Sequence, residues 1–484
     1  MPEIRCPVGE AADRAGANPA IIGPGQTLSY CEVDRWVSAT ALRLRQAGCR
    51  EGERIALLLP NDWRHLVLLL ALFRLGAVAC PLSIRVPPRN IGSLLDHISC
   101  SKLASSSSAV LAGAPPEVTL FDPTDLVCRD LSGHTQPIRQ EILLDQPATI
   151  IFTSGSLGRP KAVLHAYRNH FFSAKGSNMN IRLGPGDRWL LTLPLYHVGG
   201  MGILFRCLLS GAAVVLPDQA KGIDDSIARY HVTHVSMVPT QLYRSLRDRN
   251  SSKGYKGLRA LLLGGGPIPP TLFQEADGEG MPLFNSYGLT EMASQVTTTP
   301  PDTPREKRFS SGKALKHRQV RIADDGEIFV QGETLCLGYV QRDKVHLPVN
   351  DHGWFATGDL GQLDSEGYLT VLGRKDNMFI SGGENIHPEE IETALTELPD
   401  IVQALVVPVP DDEFGHRPIA FIQTQKKKID PEAITEGLKA LLPRYKVPIA
   451  FYNFPDVVET ERLKLDRQRF KKLALDIWQG RAHL

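Results

Sequence analysis

The sequence lacks the features that mark exported, membrane-spanning and polyanion-binding proteins. Its 54 Lys+Arg nearly cancel its 53 Asp+Glu, so the formal net charge of +1 gives no bulk attraction for nucleic acid. The eight cysteines include no C-x-x-C pair, which argues against a zinc site and a disulfide framework. The N-terminus has no basic stretch before an apolar one, and the longest apolar run, Leu66 to Phe73, is far short of the roughly 20 residues that span a bilayer. We therefore expect a reduced, cytoplasmic protein with no nucleic-acid partner and no membrane span, and the sequence leaves a homo-oligomer open.

The chain is long enough for several packed units. Its 484 residues, at about 150 residues per domain, predict roughly three. The segment from Leu28 to Ala47 reads as a helix, Arg54 to Leu59 as a buried strand, and Trp63 to Leu75 as an apolar helix. This alternation predicts an α/β fold in which helices cover a parallel sheet. Between about Ser99 and Gln146 the pattern weakens, so we expect peripheral loops and short strands there.

A β-branched strand from Ala148 to Phe152 runs into the most informative segment of the chain. Hydroxyls, loop N–H groups, two glycines and a lysine together predict a cradle for a polyphosphate. The residues of this cradle are Thr153, Ser154, Gly155, Ser156, Gly158 and Lys161. The segment is not a Walker A loop, because Arg159 and Pro160 separate the second glycine from the lysine. A plain Gly/Ser hairpin turn is the alternative.

Three further motifs follow this loop along the chain. They are Tyr287–Gly288–Leu289–Thr290–Glu291, Thr357–Gly358–Asp359, and Gly373–Arg374–Lys375–Asp376. With these motifs in this order, the chain resembles the acyl-adenylate-forming enzymes from about Leu28 to about Phe470. That family includes acyl-CoA synthetases, luciferases and peptide-synthetase adenylation domains.

The resemblance implies a fold and a set of ligands. The fold is a large N-terminal α/β domain of packed subdomains, residues 1–375, joined by a hinge to a small mobile α+β domain, residues 376–484. The ligands are ATP, Mg²⁺, coenzyme A and a small-molecule carboxylate.

The resemblance assigns the nucleotide to residues of the large domain. Thr290 donates to the phosphate that becomes AMP, and Glu291 holds Mg²⁺; a capped helix N-terminus is the alternative for this pair. Tyr287 with Gly288, and the turn Gly264, Gly265 and Gly266, flank the adenine, unless the glycines form only a turn. Asp359 accepts both ribose hydroxyls, although an Asp at a strand end is often a turn former. Arg374 is the next nucleotide contact, and Asp376 matches the hinge.

The C-terminal segment supplies the remaining groups that the resemblance implies. Gly382 and Gly383 lie where the family threads the pantetheine arm of CoA, ahead of a helix beginning at Pro388. Lys464 matches the catalytic lysine, with a solvated basic face as the alternative. Leu157 and Leu463 depart from the family's usual Thr and Gly, which weakens the expected ATP affinity or loop closure without removing a charge.

The identity of the acyl substrate is inferred from the sequence between His165 and Arg206. Within the family this segment resembles most the 2-succinylbenzoate–CoA ligases of menaquinone and phylloquinone biosynthesis, while the run from Ile380 to Pro388 also resembles 4-chlorobenzoate–CoA ligases. An aryl carboxylate is therefore favoured over a fatty acid. The acyl-site residues that this implies are His197, which also gates the reacting carboxylate, Gly199, Gly200, Arg206 and Ser286.

Two of these residues have an alternative interpretation. His197 is either a pocket residue or a paired core histidine. Arg206 either pairs with the second carboxylate of 2-succinylbenzoate or lies at the surface. A hydroxyl or amide donor such as Ser286, Ser294 or Gln295 is the alternative partner for that carboxylate. The alternatives for the whole chain are another aryl-carboxylate–CoA ligase, a non-catalytic nucleotide binder, and a protein that adenylates an acid for a protein carrier.

Overall fold

A computed structural model of the protein describes residues 2–107, 110, 115–129, 140–153, 160–218, 220–247, 255, 257–424, 429–455 and 467–480. Within them the chain is a mixed α/β structure. The helices are α1 (Pro7–Ala15), α2 (Tyr30–Gln46), α3 (Trp63–Leu75), α4 (Pro88–His97), α5 (Pro123–Leu126), α6 (Tyr167–Asn180), α7 (Val198–Ser210), α8 (Ile223–Arg229), α9 (Pro239–Arg247), α10 (Pro270–Gly278), α11 (Pro388–Glu397), α12 (Pro431–Leu441) and α13 (Arg467–Trp478). No helix among these residues is both long and apolar enough to cross a bilayer.

Local sequence signals set the bounds of the first long helices. Ser29 caps α2 and forms a reciprocal capping box with Glu32, which satisfies backbone donors at the helix start. Asp62 caps α3 by accepting from the amide of His65, and Gly76 ends it with a φ of +79°. The predicted helices and the intervening strand, Arg54–Leu58, are therefore confirmed to within a residue or two.

One large sheet has eight strands. In spatial order they are β21 (Lys344–His346), β20 (Gly338–Gln341), β10 (Lys161–Ala166), β9 (Pro147–Thr153), β5 (Val78–Pro81), β4 (Arg54–Leu58), β6 (Lys102–Ser105) and β7 (Thr119–Phe121). The strands from β9 to β7 pair in parallel, whereas β9, β10, β20 and β21 pair antiparallel. The expectation of a parallel sheet holds for one part of this sheet only. Along the chain, the predicted phosphate loop connects β9 to β10.

The second large sheet has nine strands. In spatial order they are β17 (Lys313–Ala314), β16 (Ser294–Thr298), β15 (Leu283–Leu289), β14 (Ala260–Leu263), β13 (His234–Met237), β11 (Arg188–Leu190), β12 (Ala213–Val215), β2 (Pro19–Gly23) and β3 (Gln26–Ser29). Its central strands are parallel. Because the carboxyl ends of parallel strands meet at one edge, the segments that follow β14 and β15 lie side by side.

Smaller sheets complete the structure. They are β1 (Glu3–Arg5) with β8 (Glu141–Leu143); β18 (Arg318–Ile322), β19 (Glu327–Gly332), β22 (Phe355–Leu363) and β23 (Leu369–Arg374); β24 (Phe379–Ser381) with β25 (Glu384–Ile386); and β26 (Ile401–Asp411), β27 (Gly415–Thr424) and β28 (Phe451–Asn453). In the four-stranded sheet Asp359 pairs directly with Arg374, which brings two of the predicted nucleotide residues together.

The hydrophobic core is divided along the chain. Four clusters of buried apolar residues use residues up to Val371, and two use residues from Phe379 onward. Among the described residues no cluster draws on both sides of this division. Separate cores are what two independently packed units require.

Candidate active site

Lys161, Glu291 and Tyr339 meet where β9 ends and β10 begins. Lys161 begins β10, its side chain is exposed, and its ammonium lies 4.9 Å from the centroid of the Tyr339 ring. The Tyr339 hydroxyl donates to Oε1 of Glu291 over 2.7 Å. Burial and the Glu291 charge raise the pKa of Tyr339, so its hydroxyl stays protonated at neutral pH. The arrangement places one cation and one carboxylate near Thr153 and Lys161, the two described residues of the predicted phosphate cradle.

A buried histidine forms a hydrogen bond with the backbone of the Thr290–Glu291 turn. Nε2 of His165 lies 2.7 Å from the carbonyl oxygen of Thr290, so this nitrogen carries the proton and donates. Burial lowers the pKa of His165 to about 4. Thr149 lies between His165 and a second buried ring, His170, at 3.3 and 2.8 Å. The neutral imidazole thus fixes the backbone that carries Thr290 and Glu291, which form a short 3₁₀ turn and not the start of an α-helix.

A chain of polar contacts joins three of the predicted nucleotide residues. The Tyr287 hydroxyl donates to one oxygen of Asp359 over 2.7 Å, and Arg374 donates to the other over 2.9 Å. Burial and the Asp359 charge raise the pKa of Tyr287, which keeps the hydroxyl a donor. Each carboxylate oxygen retains a second lone pair that can accept from a ribose hydroxyl. Asp359 is therefore more than a turn former, because its side chain links two elements.

Glycine is required where strands β14 and β15 end. A Cβ on Gly264 would lie 2.7 Å from Oγ of Ser286, and one on Gly288 would lie 2.1 Å from the carbonyl oxygen of Ser294. Gly265 has a φ of +83°, whereas a Cβ on Gly266 would meet nothing within 4 Å. Ser286 donates to the carbonyl oxygen of Leu263 over 2.7 Å, so its hydroxyl offers a neighbouring ligand an acceptor. Strands β14 and β15 pair side by side, so the glycine turn that follows β14 leaves the backbone free of side chains next to the strand of Tyr287.

The structure excludes a core position for His197. Its side chain is exposed at the start of α7, and its ring lies 4.7 Å from that of Tyr196. Surrounding protein and the charge of Arg85 lower the pKa of His197, so the imidazole is neutral at physiological pH. Gly199 and Gly200 let the helix start pack against the preceding turn, since a Cβ on Gly200 would lie 2.2 Å from the carbonyl oxygen of Pro194.

Arg206 is buried, and the surface position that the sequence left open is wrong. The residue is 1% exposed, and its guanidinium lies 5.0 Å from the centroid of the Trp189 ring. Its NH2 group donates to the amide oxygen of Gln295 over 2.6 Å. Gln295 lies on β16 and is paired with Gly288, so Arg206 contacts the strand next to β15, which carries Tyr287. Burial lowers the pKa of Arg206 to about 10, which leaves it charged at neutral pH.

A second buried arginine lies beside the first. Arg318 donates to the carbonyl oxygens of Gln295 and Ser173, and burial together with the Arg206 charge lowers its pKa to about 9. In the described part of the chain, neither arginine forms an ion pair with a carboxylate. Two buried cations without an internal anion favour binding of an anionic group from outside.

The predicted hinge residue adjoins the nucleotide residue Arg374, whereas the predicted CoA glycines contact the C-terminal unit. Asp376 is exposed on a 3₁₀ turn, Lys375–Asn377, and lies 3.8 Å from Arg374. Gly382 and Gly383 both have positive φ, and the amide of Gly382 donates to the carbonyl oxygen of Phe414 within the C-terminal unit. Five predicted residues lie outside the described ranges, as do the departures Leu157 and Leu463. Those five are Ser154, Gly155, Ser156, Gly158 and Lys464.

Sequence reasoning missed three residues that organise these groups. Tyr339 and Arg318 contact residues that are distant in sequence, because β20 pairs with β10 and Arg318 donates to the carbonyl oxygen of Ser173. The sequence singled out His165 only as the start of the segment that indicates the acyl substrate. A lone tyrosine or arginine in a strand carries no local signal of its partner. Only the glycine before Tyr339 marks that strand as unusual.

The donor set suits a magnesium ion that arrives with its nucleotide. Glu291 is half-buried, accepts one hydrogen bond from a neutral hydroxyl, and takes part in no ion pair among the described residues. No group of three His, Cys, Asp or Glu side chains that could hold a metal occurs in that part of the chain. Mg²⁺ is commonly bound by one or two carboxylates together with substrate phosphates, so a single carboxylate beside a phosphate loop fits it.

Comparison with known proteins places these groups in a family. The model of the AMP-binding enzyme matches residues 8–340, and that of the AMP-binding enzyme C-terminal domain matches residues 390–464. The 2-succinylbenzoate–CoA ligase of Bacillus velezensis is 34% identical over 466 residues, which cover 94% of this chain and 95% of that protein.

Solved structures give the same likeness. The o-succinylbenzoate CoA synthetase from Bacillus subtilis, in complex with the acyl-adenylate intermediate OSB-AMP, matches with a TM-score of 0.88 and 32% identity over 97% of this chain and 99% of that one. The same synthetase in complex with ATP and magnesium ion matches with a TM-score of 0.85 and 32% identity over 94% and 96%.

Proposed function

Because the chain belongs to the AMP-binding enzyme family, we propose that it is an AMP-forming acid–thiol ligase that joins 2-succinylbenzoate to coenzyme A. ATP is consumed, and the products are 2-succinylbenzoyl-CoA, AMP and pyrophosphate, as menaquinone biosynthesis requires. Relatives named for this reaction support the substrate over nearly the whole chain. The observation that carries the substrate within this structure is the buried, carboxylate-free Arg206.

In the first half-reaction the succinyl carboxylate attacks the α-phosphorus of ATP. A P–O bond forms to the acid, the bond from the α-phosphorus to its bridging oxygen breaks, and pyrophosphate leaves. Lys161, the Thr290 hydroxyl and Lys464 stabilise the negative charge that develops on the phosphate oxygens. Mg²⁺, held by Glu291, would neutralise phosphate charge when bound.

The nucleotide is oriented by residues that the structure brings together. Asp359 accepts the ribose hydroxyls on lone pairs left free by Tyr287 and Arg374. Adenine lies between the Tyr287 ring and the backbone of Gly264 to Gly266, where side chains are absent. The neighbouring loop residues Thr153, Ser154, Gly155, Ser156 and Gly158 donate to the β- and γ-phosphates.

The acyl group is recognised at both of its ends. His197, Gly199 and Gly200 line the entrance to the aryl pocket, where the neutral imidazole packs against the ring and positions the reacting carboxylate. Arg206 pairs with the second carboxylate, and Gln295 orients its guanidinium. Ser286, on β15, can donate to an oxygen of the acyl group once its hydroxyl turns away from the carbonyl oxygen of Leu263.

The second half-reaction transfers the acyl group to CoA. The thiol loses its proton and attacks the acyl carbon, the bond to AMP breaks, and a thioester forms. We assign residues 1–375 to the adenylating domain and residues 376–484 to a domain that turns about Asp376 and brings Gly382 and Gly383 to the CoA arm. The division of the hydrophobic core between Val371 and Phe379 supports this boundary.

The purified protein should release pyrophosphate when it is incubated with ATP, Mg²⁺ and 2-succinylbenzoate. It should release none when the acid is left out. Addition of CoA should yield 2-succinylbenzoyl-CoA and AMP, detected by mass spectrometry. Acid-independent ATP binding without pyrophosphate would indicate a nucleotide binder. Pyrophosphate release without a CoA thioester would indicate a carrier-loading protein.

A further inference from the structure

Glu291 has one close side-chain contact that the proposed reaction does not yet use. The Tyr339 hydroxyl donates to Oε1 of Glu291 over 2.7 Å. The backbone of the same segment also reaches this residue, because the amide of Cys336 donates to the carbonyl oxygen of Glu291 over 2.8 Å. The segment from Cys336 to Tyr339 therefore holds Glu291 by both its backbone and its side chain.

The same tyrosine also touches the phosphate-loop lysine. Strand β20 pairs with β10, with Tyr339 opposite Val163, two residues after Lys161. The exposed ammonium of Lys161 lies 4.9 Å from the ring centroid, within the range of a cation–π contact. One side chain thus meets both a phosphate-binding cation and a metal-binding carboxylate.

We propose that Tyr339 is the positioning residue that holds Glu291 for Mg²⁺ and Lys161 for the ATP phosphates. This inference rests on the proposed nucleotide site. The Tyr339 hydroxyl donates to Oε1 of Glu291 and leaves Oε2 for the metal. The Tyr339 ring holds Lys161 on the side where the phosphates bind. Because the hydroxyl is neutral, it orients the carboxylate without neutralising the charge that attracts the metal.

The test measures ATP binding by calorimetry, with and without Mg²⁺ and without any acid, so the result does not depend on which carboxylate the enzyme activates. Tyr339→Phe removes the hydroxyl and keeps the ring. It should reduce the tightening of ATP binding by Mg²⁺ about tenfold, since a hydrogen bond to a charged group is lost, and leave Mg²⁺-free affinity unchanged. Tyr339→Leu should also weaken Mg²⁺-free binding by about threefold, because the cation–π contact is lost.

Tyr30→Phe is the matched control. It removes a buried hydroxyl that donates to the carbonyl oxygens of Cys207 and Ala212, remote from the nucleotide residues, and should leave both affinities unchanged. In a Glu291→Gln background, Tyr339→Phe should have no further effect on the Mg²⁺ dependence, which a general loss of folding would not produce. Equal weakening with and without Mg²⁺, or an undiminished effect in the Glu291→Gln background, would overturn the proposal.

Discussion

At the residue scale, Arg206 shows what a sequence can and cannot reveal about a charged side chain. Its place in an otherwise apolar stretch suggested a special role but left burial open. The Arg206 side chain is buried by contacts with residues elsewhere in the sequence. Its guanidinium lies over the Trp189 ring and donates to the side chain of Gln295. The cost of an unpaired buried cation falls when an anionic ligand binds, so such a residue contributes to specificity more than to stability.

Arg206→Met should lower kcat/KM for 2-succinylbenzoate by about tenfold to a hundredfold, because a matched charged contact is lost. Benzoate, which has no second carboxylate, should be used at the same rate by the variant and the parent enzyme. Thioester formation with both acids gives the comparison. Equal losses with both acids would assign Arg206 a structural role.

Lys464→Ala should reduce the adenylation half-reaction by about a hundredfold or more, since one preorganised charge at a developing negative charge contributes about 3 kcal/mol. Thioester formation from supplied acyl-AMP should persist. Pyrophosphate release and acyl transfer, assayed separately, distinguish the steps. If both half-reactions fell together, another lysine would be the catalytic one.

Two buried histidines make stability depend on pH. Burial lowers the pKa of His65 and of His165 to about 4, below the ordinary value of about 6.5. Both are neutral when folded, so the unfolded chain binds more protons and stability falls as pH drops from 6.5 toward 4. As the pH falls from 7.5 to 5.5, each of these two histidines should lower the free energy of unfolding by about 1 kcal/mol. Urea titrations of His165→Gln should show a smaller loss than the parent; an identical loss would contradict the assignment.

At the element scale, the sequence predicted what is local. The hydrophobic pattern placed α2 and α3, and the β-branched run placed β9. It did not predict that β20 would join β10, or that β18 would bring Arg318 beside Arg206, because strand pairing across well over a hundred residues depends on tertiary packing. The expectation of parallel strands failed in one half of the eight-stranded sheet and throughout the four-stranded sheet, where all pairings are antiparallel.

The 3₁₀ turn at Lys375–Asn377 carries the proposed hinge. Asp376→Pro fixes φ there and should retain adenylation while thioester formation is lost, because the C-terminal domain could no longer turn. Asp376→Ala, which leaves φ free, should retain both half-reactions and serves as the control. Wild-type rates for both half-reactions in the proline variant would locate the hinge elsewhere.

At the scale of the whole molecule, motif order indicated the family and the two-part architecture before any contact was known. The proposed nucleotide residues lie in short, contiguous motifs, which a sequence alone reveals, and the structure joins three of them, Tyr287, Asp359 and Arg374, by hydrogen bonds. The substrate could be predicted only from the resemblance to a family, since the residues proposed to bind the acyl group lie on separate helices and strands. Arg206 is the one of these groups whose chemistry points to a dicarboxylate.

The measurement that tests the central claim most directly is kcat/KM of the purified enzyme for 2-succinylbenzoate and for benzoate, at saturating ATP, Mg²⁺ and CoA. An unpaired buried donor costs roughly 1–3 kcal/mol, so 2-succinylbenzoate should exceed benzoate by at least about tenfold to a hundredfold. A preference for benzoate, 4-chlorobenzoate or a fatty acid would contradict the proposed substrate.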